Sequence, residues 1–357
     1  MRTRSINNRN PSLWVQCAFI YAGITGFTKQ AFEKASLLFD RKDIPSSLNG
    51  RSYMVTGANS GIGKACAKAL LSRGGLVHMA CRNRERALAA QEELLKETGA
   101  PESNCRVHIL DMSSVKQIKA FARSFNDGGM RLDGLINNAG CMLHKYDKTE
   151  EGNEINFATN TLGTFVLTEE LLPSLQRIDD VVVEEEKGKV SKDHYDNDVF
   201  GSSPPPSRVI TVSSGGAYTQ KLDYQNVNTL EGFNDGTYIY AQNKRQQIAL
   251  SQKWSRMMRK QMMVNKEGKK NKKKEKKKKV AKYLESTESS LSRTARRNVV
   301  FQSMHPGWAD TPALRHGMPD FHRRFNNYLR SPEQGADTAI WYYYYYYYYY
   351  YYYKEQP

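Results

Sequence analysis

The sequence predicts an α/β fold, a single domain in which helices cover both faces of a doubly wound parallel sheet. From Arg51 onward, short β-rich apolar runs alternate with helical patterns at the spacing of strand–helix–strand units. The chain has 357 residues, of which 39% are hydrophobic and 25% are charged. This is enough apolar material for a core, so wholesale disorder is excluded. We therefore expect one domain with surface insertions.

The candidate strands follow one another in a regular order along the chain. They are SYMVT (52–56), LVHMA (76–80), RVHIL (106–110), LDGLINN (132–138) and RVITV (208–212). Helical periodicity lies between the first four, over 64–74, 84–99 and 113–125. The pattern predicts a sheet of about seven strands.

Four segments stand outside this alternation. Residues 1–44 are first basic and then apolar, and insertions at about 179–207 and 260–297 carry no strand–helix alternation. The second insertion contains a lysine tract (residues 260–282), and because blocks of like charge repel, we expect it to be a disordered, solvated loop. Residues 342–357 begin with twelve consecutive tyrosines, which no packed fold requires, so this tail is either a repeat expansion or a gene-model artefact.

Charge and cysteine usage exclude several classes of protein. The net charge is +16, but the lysine tract holds 12 Lys and two Glu, so the other 334 residues carry only +6 and no specific nucleic-acid binding is predicted. The five cysteines occur singly, which predicts neither a disulfide framework nor a metal site and favours a reducing intracellular compartment: Cys17, Cys66, Cys81, Cys105 and Cys141.

A glycine-rich turn, TGANSGIG, joins the first strand to the first helix. Gly57 permits a tight turn, Gly61 lets the backbone approach a pyrophosphate, and Gly63 lets the helix pack closely on the strand. The helix N-terminus then presents N–H groups to phosphates. An ordinary structural turn is the alternative interpretation.

Polar residues follow two further strands. Asp111, after RVHIL, is either an acceptor for an adenine amino group or a cap of the following helix. NNAG (Asn137–Gly140), after LDGLI, either lines the ligand crevice at the sheet edge or forms a turn.

The strongest motif is Tyr240-Ala-Gln-Asn-Lys244, which is preceded by VSS (Val212–Ser214) at a strand end. Tyr240 and Lys244 are four residues apart and share a helix face. A neighbouring ammonium favours the phenolate, so we expect Lys244 to lower the pKa of Tyr240 from about 10 and to make it an acid or base near neutral pH.

These motifs, TGANSGIG, NNAG, VSS and YAQNK, occur in the same order and positions as in the classical short-chain dehydrogenase/reductase family, which the chain resembles from about Pro45 to Trp341. The resemblance implies a Rossmann-type domain over 45–341. That family usually follows its last helix with another strand, whereas this chain has tyrosines there. We therefore expect the tail 342–357 not to be structured as in the family.

The resemblance also implies roles for single residues. Tyr240 would be the general acid or base, Lys244 would lower its pKa and hold the nicotinamide ribose, and Ser214, rather than Ser213, would bind the substrate oxygen. Asn160 would hold a water in the proton relay. The other implied cofactor contacts are Gly57, Asn59, Ser60, Gly61, Ile62, Gly63, Asp111, Met112, Asn137, Ala139, Gly140, Pro306, Gly307 and Thr311.

The choice of cofactor depends on the end of the second strand. Arg82 stands 19 residues after Gly63, with Arg84 close behind, where an acidic residue would bind a free ribose 2′-hydroxyl. Because arginine offers a fork to phosphate, NADP(H) is favoured, and NAD(H) remains open if Arg82 only faces solvent.

The sequence therefore predicts an NADP(H)-dependent oxidoreductase of the carbonyl reductase type that interconverts a carbonyl compound and an alcohol. The loop 310–330 mixes apolar and basic residues, which suits a small or lipophilic substrate. The rival hypothesis is a non-catalytic cofactor-binding scaffold whose lysine tract binds an anionic partner. A homo-oligomer is compatible with either.

The N-terminal residues leave two interpretations open. Arg2, Arg4 and Arg9 precede a short apolar run, Leu13–Phe27, which is too short to span a bilayer. It is either a targeting or membrane-surface helix, or a helix that docks on the protein's own body. In the first case, residues 1–40 would hold the protein at a membrane and would be dispensable for cofactor binding.

Overall fold

The computed structural model describes residues 12–39, 46–178, 206–229, 235–280 and 297–341. Most of the insertion expected at 179–207, the end of the second insertion, and the tyrosine tail lie outside the described residues. The expected end of this insertion is wrong by one residue, because Ser207 is buried and is the first residue of a strand.

Six parallel strands form one sheet in the order β3-β2-β1-β4-β5-β6 within the described residues. Their bounds are β1 Ser52–Thr56, β2 Leu76–Cys81, β3 Cys105–Ile109, β4 Gly134–Asn137, β5 Ser207–Val212 and β6 Val299–Met304. The strand order reverses between β1 and β4, as in a doubly wound fold, and such a point opens a ligand crevice. The predicted fold class is confirmed, with six described strands where about seven were expected.

Helices cover both faces of this sheet. They are α1 Leu13–Ala22, α2 Lys29–Ser36, α3 Gly61–Leu71, α4 Arg84–Thr98, α5 Val115–Asp127, α6 Ile155–Phe157, α7 Gly163–Glu170, α8 Leu172–Gln176, α9 Gly236–Val280, α10 Pro312–Gly317 and α11 Pro319–Phe325, and residues 332–341 are also helical. Two separate apolar clusters form the core, one with α3, α4 and 332–341 and the other with α5, α7 and α9. Every residue of β4 and β5 is buried, as expected of strands that are covered on both faces.

The lysine tract is not a disordered loop where the structure describes it. Helix α9 begins at Gly236 and continues without a break to Val280. Lysine, glutamate, glutamine and methionine all have good helix propensity, and the packed first half of α9 supplies the nucleus from which the helix propagates. The expectation of disorder is therefore wrong for residues 260–280.

The residues before the sheet form a helical N-terminal segment (residues 13–36) that contains α1, a π-helical turn at Gly23–Phe27, and α2. The indole of Trp308 packs directly on Gly23, and the Phe27 carbonyl accepts a hydrogen bond from the Trp308 backbone N–H (2.8 Å). The segment thus docks on the protein's own body. No helix among the described residues is long and apolar enough to cross a membrane.

A buried ion pair fixes the opposite edge of the sheet. Asp133, just before β4, accepts from Arg297 Nη2 (2.8 Å), from Arg131 and from the Ser52 backbone N–H (2.9 Å). The two side chains Asp133 and Arg297 are almost fully buried. This carboxylate therefore ties the starts of β1, β4 and β6 together.

Replacing Asp133 by alanine should lower the free energy of unfolding by about 3–5 kcal/mol, because it leaves the Arg297 charge buried without its carboxylate. Urea denaturation followed by circular dichroism would measure the change. Asp320→Ala is the control, since its ion pair with Arg323 is exposed and should be worth less than about 1 kcal/mol. Equal effects of the two substitutions would contradict this role.

Candidate active site

The glycine-rich turn lies at the point where the strand order reverses. Gly57, directly after β1, has a φ of +66°, and a Cβ there would press on Ala139 from the turn after β4. The Thr56 hydroxyl accepts hydrogen bonds from the backbone N–H groups of Asn138 and Ala139, both at 2.9 Å. The turn after β1 and the turn after β4 are thereby held side by side.

The N-terminus of α3 opens toward this crevice. Ser60 occupies the capping position but makes no side-chain capping bond, whereas the caps of α2, α4 and α5 each make one. A Cβ on Gly63 would collide with the carbonyl oxygen of Gly57, so only glycine allows this close approach. The free amides and the glycine backbone fit the phosphates of a dinucleotide, with Asn59 and Ile62 in the same turn.

Thr311 meets this turn from the other side of the crevice. Its methyl carbon would lie 3.1 Å from a Cβ on Gly61, and its hydroxyl caps α10 by accepting from the Leu314 N–H (3.2 Å). The structure thus brings Thr311 to the glycine turn, although 250 residues separate them in sequence.

Arg82 follows β2 at the same edge and is exposed, as is Arg84 at the start of α4. Burial raises the pKa of the Cys141 thiol to about 11, while the charges of Arg82 and Lys244 lower it in part. Both cations are therefore close enough to influence one thiol beside the crevice.

Asp111 and Met112 follow β3. Asp111 Oδ1 accepts from both the backbone N–H and the hydroxyl of Ser113, at 2.8 Å each, whereas the residue that caps α5 is Ser114, so the capping interpretation of Asp111 is wrong. Met112 is buried, and its carbonyl faces Gly163 at the start of α7, where a Cβ would collide with it. Both residues lie at the sheet edge. Asp111 Oδ1 is hydrogen-bonded to Ser113, and the Met112 carbonyl oxygen lies against Gly163.

The side chain of Asn137, the last residue of β4, points away from the crevice. The amide of Asn137 is buried and donates to the Thr168 hydroxyl of α7 (2.9 Å). Gly140, in contrast, leaves room beside α9, since a Cβ there would lie 3.7 Å from Lys244 Nζ and 3.1 Å from Asn160 Oδ1. Asn137 therefore holds β4 against α7, whereas Gly140 lines the opening beside Lys244.

Tyr240 and Ser214 face one another at the mouth of this opening. Tyr240 lies in the second turn of α9, is half-buried, and is hydrogen-bonded to the Ser214 side chain. The Ser213 hydroxyl instead donates to the Lys244 carbonyl oxygen (2.9 Å) and is buried. Ser214 is thus the serine of the pair that is available at the site.

The pKa of Tyr240 moves in the direction opposite to the sequence prediction. Burial raises it to about 12, and the hydrogen bond to Ser214 lowers it only in part. Burial also lowers the pKa of Lys244 to about 8. The ammonium lies 5.3 Å from the centroid of the Tyr240 ring, and burial is the largest cause of the raised pKa because it disfavours the charged phenolate. The expected lowering is therefore wrong for this structure.

Lys244 is held inside the site by two acceptors. Its Nζ donates to the Val212 carbonyl oxygen (2.7 Å) and to Gln247 Oε1 (3.1 Å). Gln247 Nε2 in turn donates to the Asn160 carbonyl oxygen (2.5 Å). The fully buried amide of Gln247 thus bridges Lys244 and Asn160.

Asn160 lies in a π-helical turn at Ala158–Leu162 that precedes α7. Its Oδ1 accepts from the Cys141 N–H and its Nδ2 donates to the Cys141 carbonyl oxygen, both at 2.8 Å. Nδ2 also donates to Asn243 Oδ1 (3.1 Å). Asn160 therefore fixes the backbone after Gly140 against α9.

The loop after β6 completes the site. His305 Nδ1 accepts from the Gly215 backbone N–H (3.0 Å), and burial lowers the pKa of the imidazole to about 3, so the ring is neutral. Pro306 and Gly307 follow, and Gly307 has a φ of +78°. His305 thereby attaches this loop to the residue after Ser214.

Sequence reasoning missed His305 and Gln247. Gln247 lies three residues after Lys244, so a helix-face argument would have placed the two side chains together. His305 stands next to Pro306, but no periodicity points to its contact with Gly215, which comes 90 residues earlier.

The comparisons with known proteins agree with this geometry. A family model described as short chain dehydrogenase matches residues 51–190. "Dehydrogenase/reductase SDR family member 12" of Bos taurus is 38% identical over 92% of this chain and 83% of its own, and the Homo sapiens protein of the same name is 37% identical over the same shares. Retinol dehydrogenase 11 of Homo sapiens is 29% identical over 82% of this chain and 72% of its own.

Solved structures share the fold at low sequence identity. A putative short chain dehydrogenase of Shigella flexneri 2a complexed with NADP superposes with a TM-score of 0.53 at 19% identity, over 83% of this chain and 92% of that one. The RhlG/NADP complex of Pseudomonas aeruginosa gives 0.52 at 21% identity, over 84% and 91%. With the relatives above, the resemblance found in the sequence is confirmed: the chain belongs to the short-chain dehydrogenase/reductase family and is an oxidoreductase.

Proposed function

We propose that this protein is an NADP(H)-dependent oxidoreductase that interconverts a carbonyl compound and an alcohol, with Tyr240 as the general acid or base. The observation that carries the proposal is the convergence of Tyr240, Ser214 and Lys244 beside the opening at Gly140. The open N-terminus of α3 at the same edge supports a dinucleotide in the crevice.

A bound nicotinamide would supply or accept the hydride, and the residues of this chain handle the proton and the oxygen. In reduction, the Tyr240 hydroxyl donates its proton to the carbonyl oxygen as negative charge develops there. Ser214, already hydrogen-bonded to Tyr240, donates to the same oxygen and orients it. Lys244, held by the Val212 carbonyl and Gln247, faces Gly140 and would bind the ribose hydroxyls.

The raised pKa of Tyr240 supports the reductive direction. A phenol with a pKa of about 12 is fully protonated at neutral pH and is ready to act as an acid. It is still much more acidic than the alcohol that forms, so the proton transfer is downhill. In the oxidative direction, the same pKa makes deprotonation of Tyr240 the demanding step.

Replacing Tyr240 by phenylalanine should lower kcat by a factor of roughly 10²–10⁴, because only the transferable proton is lost. The affinity for NADPH should stay nearly unchanged. The assay follows the absorbance of NADPH with a panel of aldehydes and ketones that includes retinaldehyde, and fluorescence titration gives cofactor affinity.

Tyr238→Phe is the matched control, since Tyr238 lies two residues before Tyr240 on α9 and its hydroxyl accepts from Gln242 Nε2 (3.3 Å). We expect it to keep wild-type turnover. A Tyr240→Phe enzyme with a substantial fraction of wild-type rate would overturn the assignment. Tight NADPH binding by the wild type without turnover of any carbonyl in the panel would favour the scaffold hypothesis instead.

The preference for NADP(H) rests on Arg82 and on the cofactor named in the structures of similar fold. Arg82 is exposed at the end of β2, where its fork can meet a ribose 2′-phosphate, and no acidic side chain occupies 81–83. Arg84, two residues on, adds a second positive charge at the same edge.

Arg82→Asp should weaken NADPH binding by about tenfold to several hundredfold, since a hydrogen bond to an ionised group contributes about 1.5–3 kcal/mol and the new carboxylate repels the phosphate. The affinity for NADH should rise relative to the affinity for NADPH. Fluorescence titrations of both cofactors measure the ratio. Arg86→Asp makes the same charge change four residues further on, in the first turn of α4, and should leave the ratio nearly constant. An unchanged ratio in Arg82→Asp would show that Arg82 does not read the ribose phosphate.

A lipophilic substrate and contact with a membrane surface belong to the same proposal. The relatives named retinol dehydrogenases act on a lipophilic alcohol by name. In this chain, α1 exposes Leu13 (76%), Trp14 (80%) and Tyr21 (71%), and the sequence before α1 is basic. An exposed apolar helix face beside basic residues suits the surface of an anionic bilayer.

The double substitution Leu13→Gln/Trp14→Gln should lower binding to vesicles that contain anionic lipid by at least fivefold, by analogy with about 0.8 kcal/mol per buried CH₂. Co-sedimentation measures it. NADPH affinity should not change, because both side chains are exposed. Leu88→Gln/Ile109→Gln, on exposed positions of α4 and β3, is the control; equal vesicle binding by all three proteins would refute membrane contact through α1.

A further inference from the structure

The N-terminal segment covers the catalytic loops rather than lying apart from them. The rings of Phe19 and Phe27 would lie 3.2 and 2.9 Å from a Cβ on Gly215, the residue that follows Ser214. The Phe27 ring also meets His305 edge-on, with 4.3 Å between the centroids. Residues from the very start of the described chain therefore form one wall of the candidate active site.

One side chain connects this wall to the cofactor loop. Arg330 Nη2 donates to the Gly26 carbonyl oxygen (2.7 Å) and Nε donates to the Thr28 carbonyl oxygen (3.2 Å). Its Nη1 donates to the carbonyl oxygen of Pro306 in the loop after β6 (3.3 Å). A single guanidinium thus spans the N-terminal segment and the loop that the family places beside the nicotinamide.

The surroundings of Arg330 are built for this contact. Its backbone pairs with the same loop, through Arg330 N–H to Trp308 O (2.7 Å) and Asp310 N–H to Arg330 O (2.8 Å). A Cβ on Gly307 would collide with the guanidinium, so glycine there is required by the close approach as well as by its positive φ. The Phe32 ring of α2 lies 5.2 Å from the guanidinium carbon.

Charge alone does not explain this arrangement. All three acceptors of Arg330 are neutral backbone carbonyls from two separate segments, and the side chain is buried. Only the planar fork of arginine presents donors in three fixed directions, whereas lysine offers one point charge. The fork therefore fixes the distance between the N-terminal segment and the cofactor loop.

We propose that Arg330 is a positioning residue that holds the N-terminal segment against the loop Pro306–Trp308, so that docking of this segment and binding of the cofactor stabilise each other. The inference rests on the proposed function, since it assumes a dinucleotide beside this loop. It also revises the expectation that residues 1–40 are dispensable for cofactor binding, because they contribute Gly26 and Thr28 to the contact.

Coupling of this kind is reciprocal, so it has two readouts. NADPH should slow tryptic cleavage after Lys29 and Lys34 of α2 by at least threefold. Mass spectrometry on digests of the full chain measures the rate of this cleavage. Arg330→Gln should speed that cleavage, abolish the protection by NADPH, and raise the Kd for NADPH about tenfold. Arg323→Gln is the control, because Arg323 is 79% exposed and pairs only at the surface, and it should behave as the wild type.

A second variant distinguishes the proposed coupling from a general loss of folding. Gly23→Val places a side chain against the Trp308 indole and displaces the segment while Arg330 remains. It should reproduce the weaker NADPH binding, and the double variant with Arg330→Gln should bind no more weakly than either single variant. Faster cleavage of Gly23→Val or Arg330→Gln with unchanged NADPH affinity would overturn the coupling.

Failure of the proposed function gives a different pattern. A wild-type protein that does not bind NADPH at all would refute the cofactor assignment and the coupling together. A wild type that binds NADPH but gains no protection of Lys29 and Lys34 would refute only the coupling.

Discussion

The hydroxyl of Thr56 joins the two halves of the sheet at the point where the strand order reverses. It accepts the backbone N–H groups of Asn138 and Ala139 and so fixes the turn after β4 beside the glycine turn after β1. In a doubly wound sheet, this is where a crevice opens. The other parts of the candidate site are arranged around that contact, because every parallel strand delivers its following turn to the same edge.

Burial governs the electrostatics of this edge. It raises the pKa of Tyr240 to about 12 and lowers that of Lys244 to about 8, and in both cases desolvation favours the neutral form. The structure compensates Lys244 with two carbonyl acceptors, Val212 O and Gln247 Oε1, rather than with a carboxylate. The site therefore holds a neutral phenol beside a lysine whose ammonium is bound by neutral acceptors.

The N-terminal segment contributes side chains to the candidate active site of the domain. A family domain over 45–341 would be expected to hold its own active site, yet Phe19 and Phe27 cover the backbone after Ser214. The segment also exposes Trp14 and Leu13 on its outer face. The same few turns of helix therefore face solvent on one side and the loops around Ser214 and His305 on the other.

Several features could be predicted from the order of residues alone: the strand–helix alternation, five strands to within one or two residues, the glycine turn, and the pairing of Tyr240 with Lys244 on one helix. These features depend on local periodicity and spacing, which the order of residues specifies directly.

The other features of the site depend on tertiary structure. The direction of the Tyr240 pKa depends on how deeply the phenol is buried, the bridge from Gln247 to Asn160 joins residues 87 apart, and the contact of Arg330 with Gly26 joins residues 304 apart. The lysine tract also differs from its local prediction, because the packed half of α9 propagates a helix into a segment whose own charges oppose compact structure. Desolvation and contacts between distant segments are properties of the packed molecule, and no short pattern in the sequence encodes them.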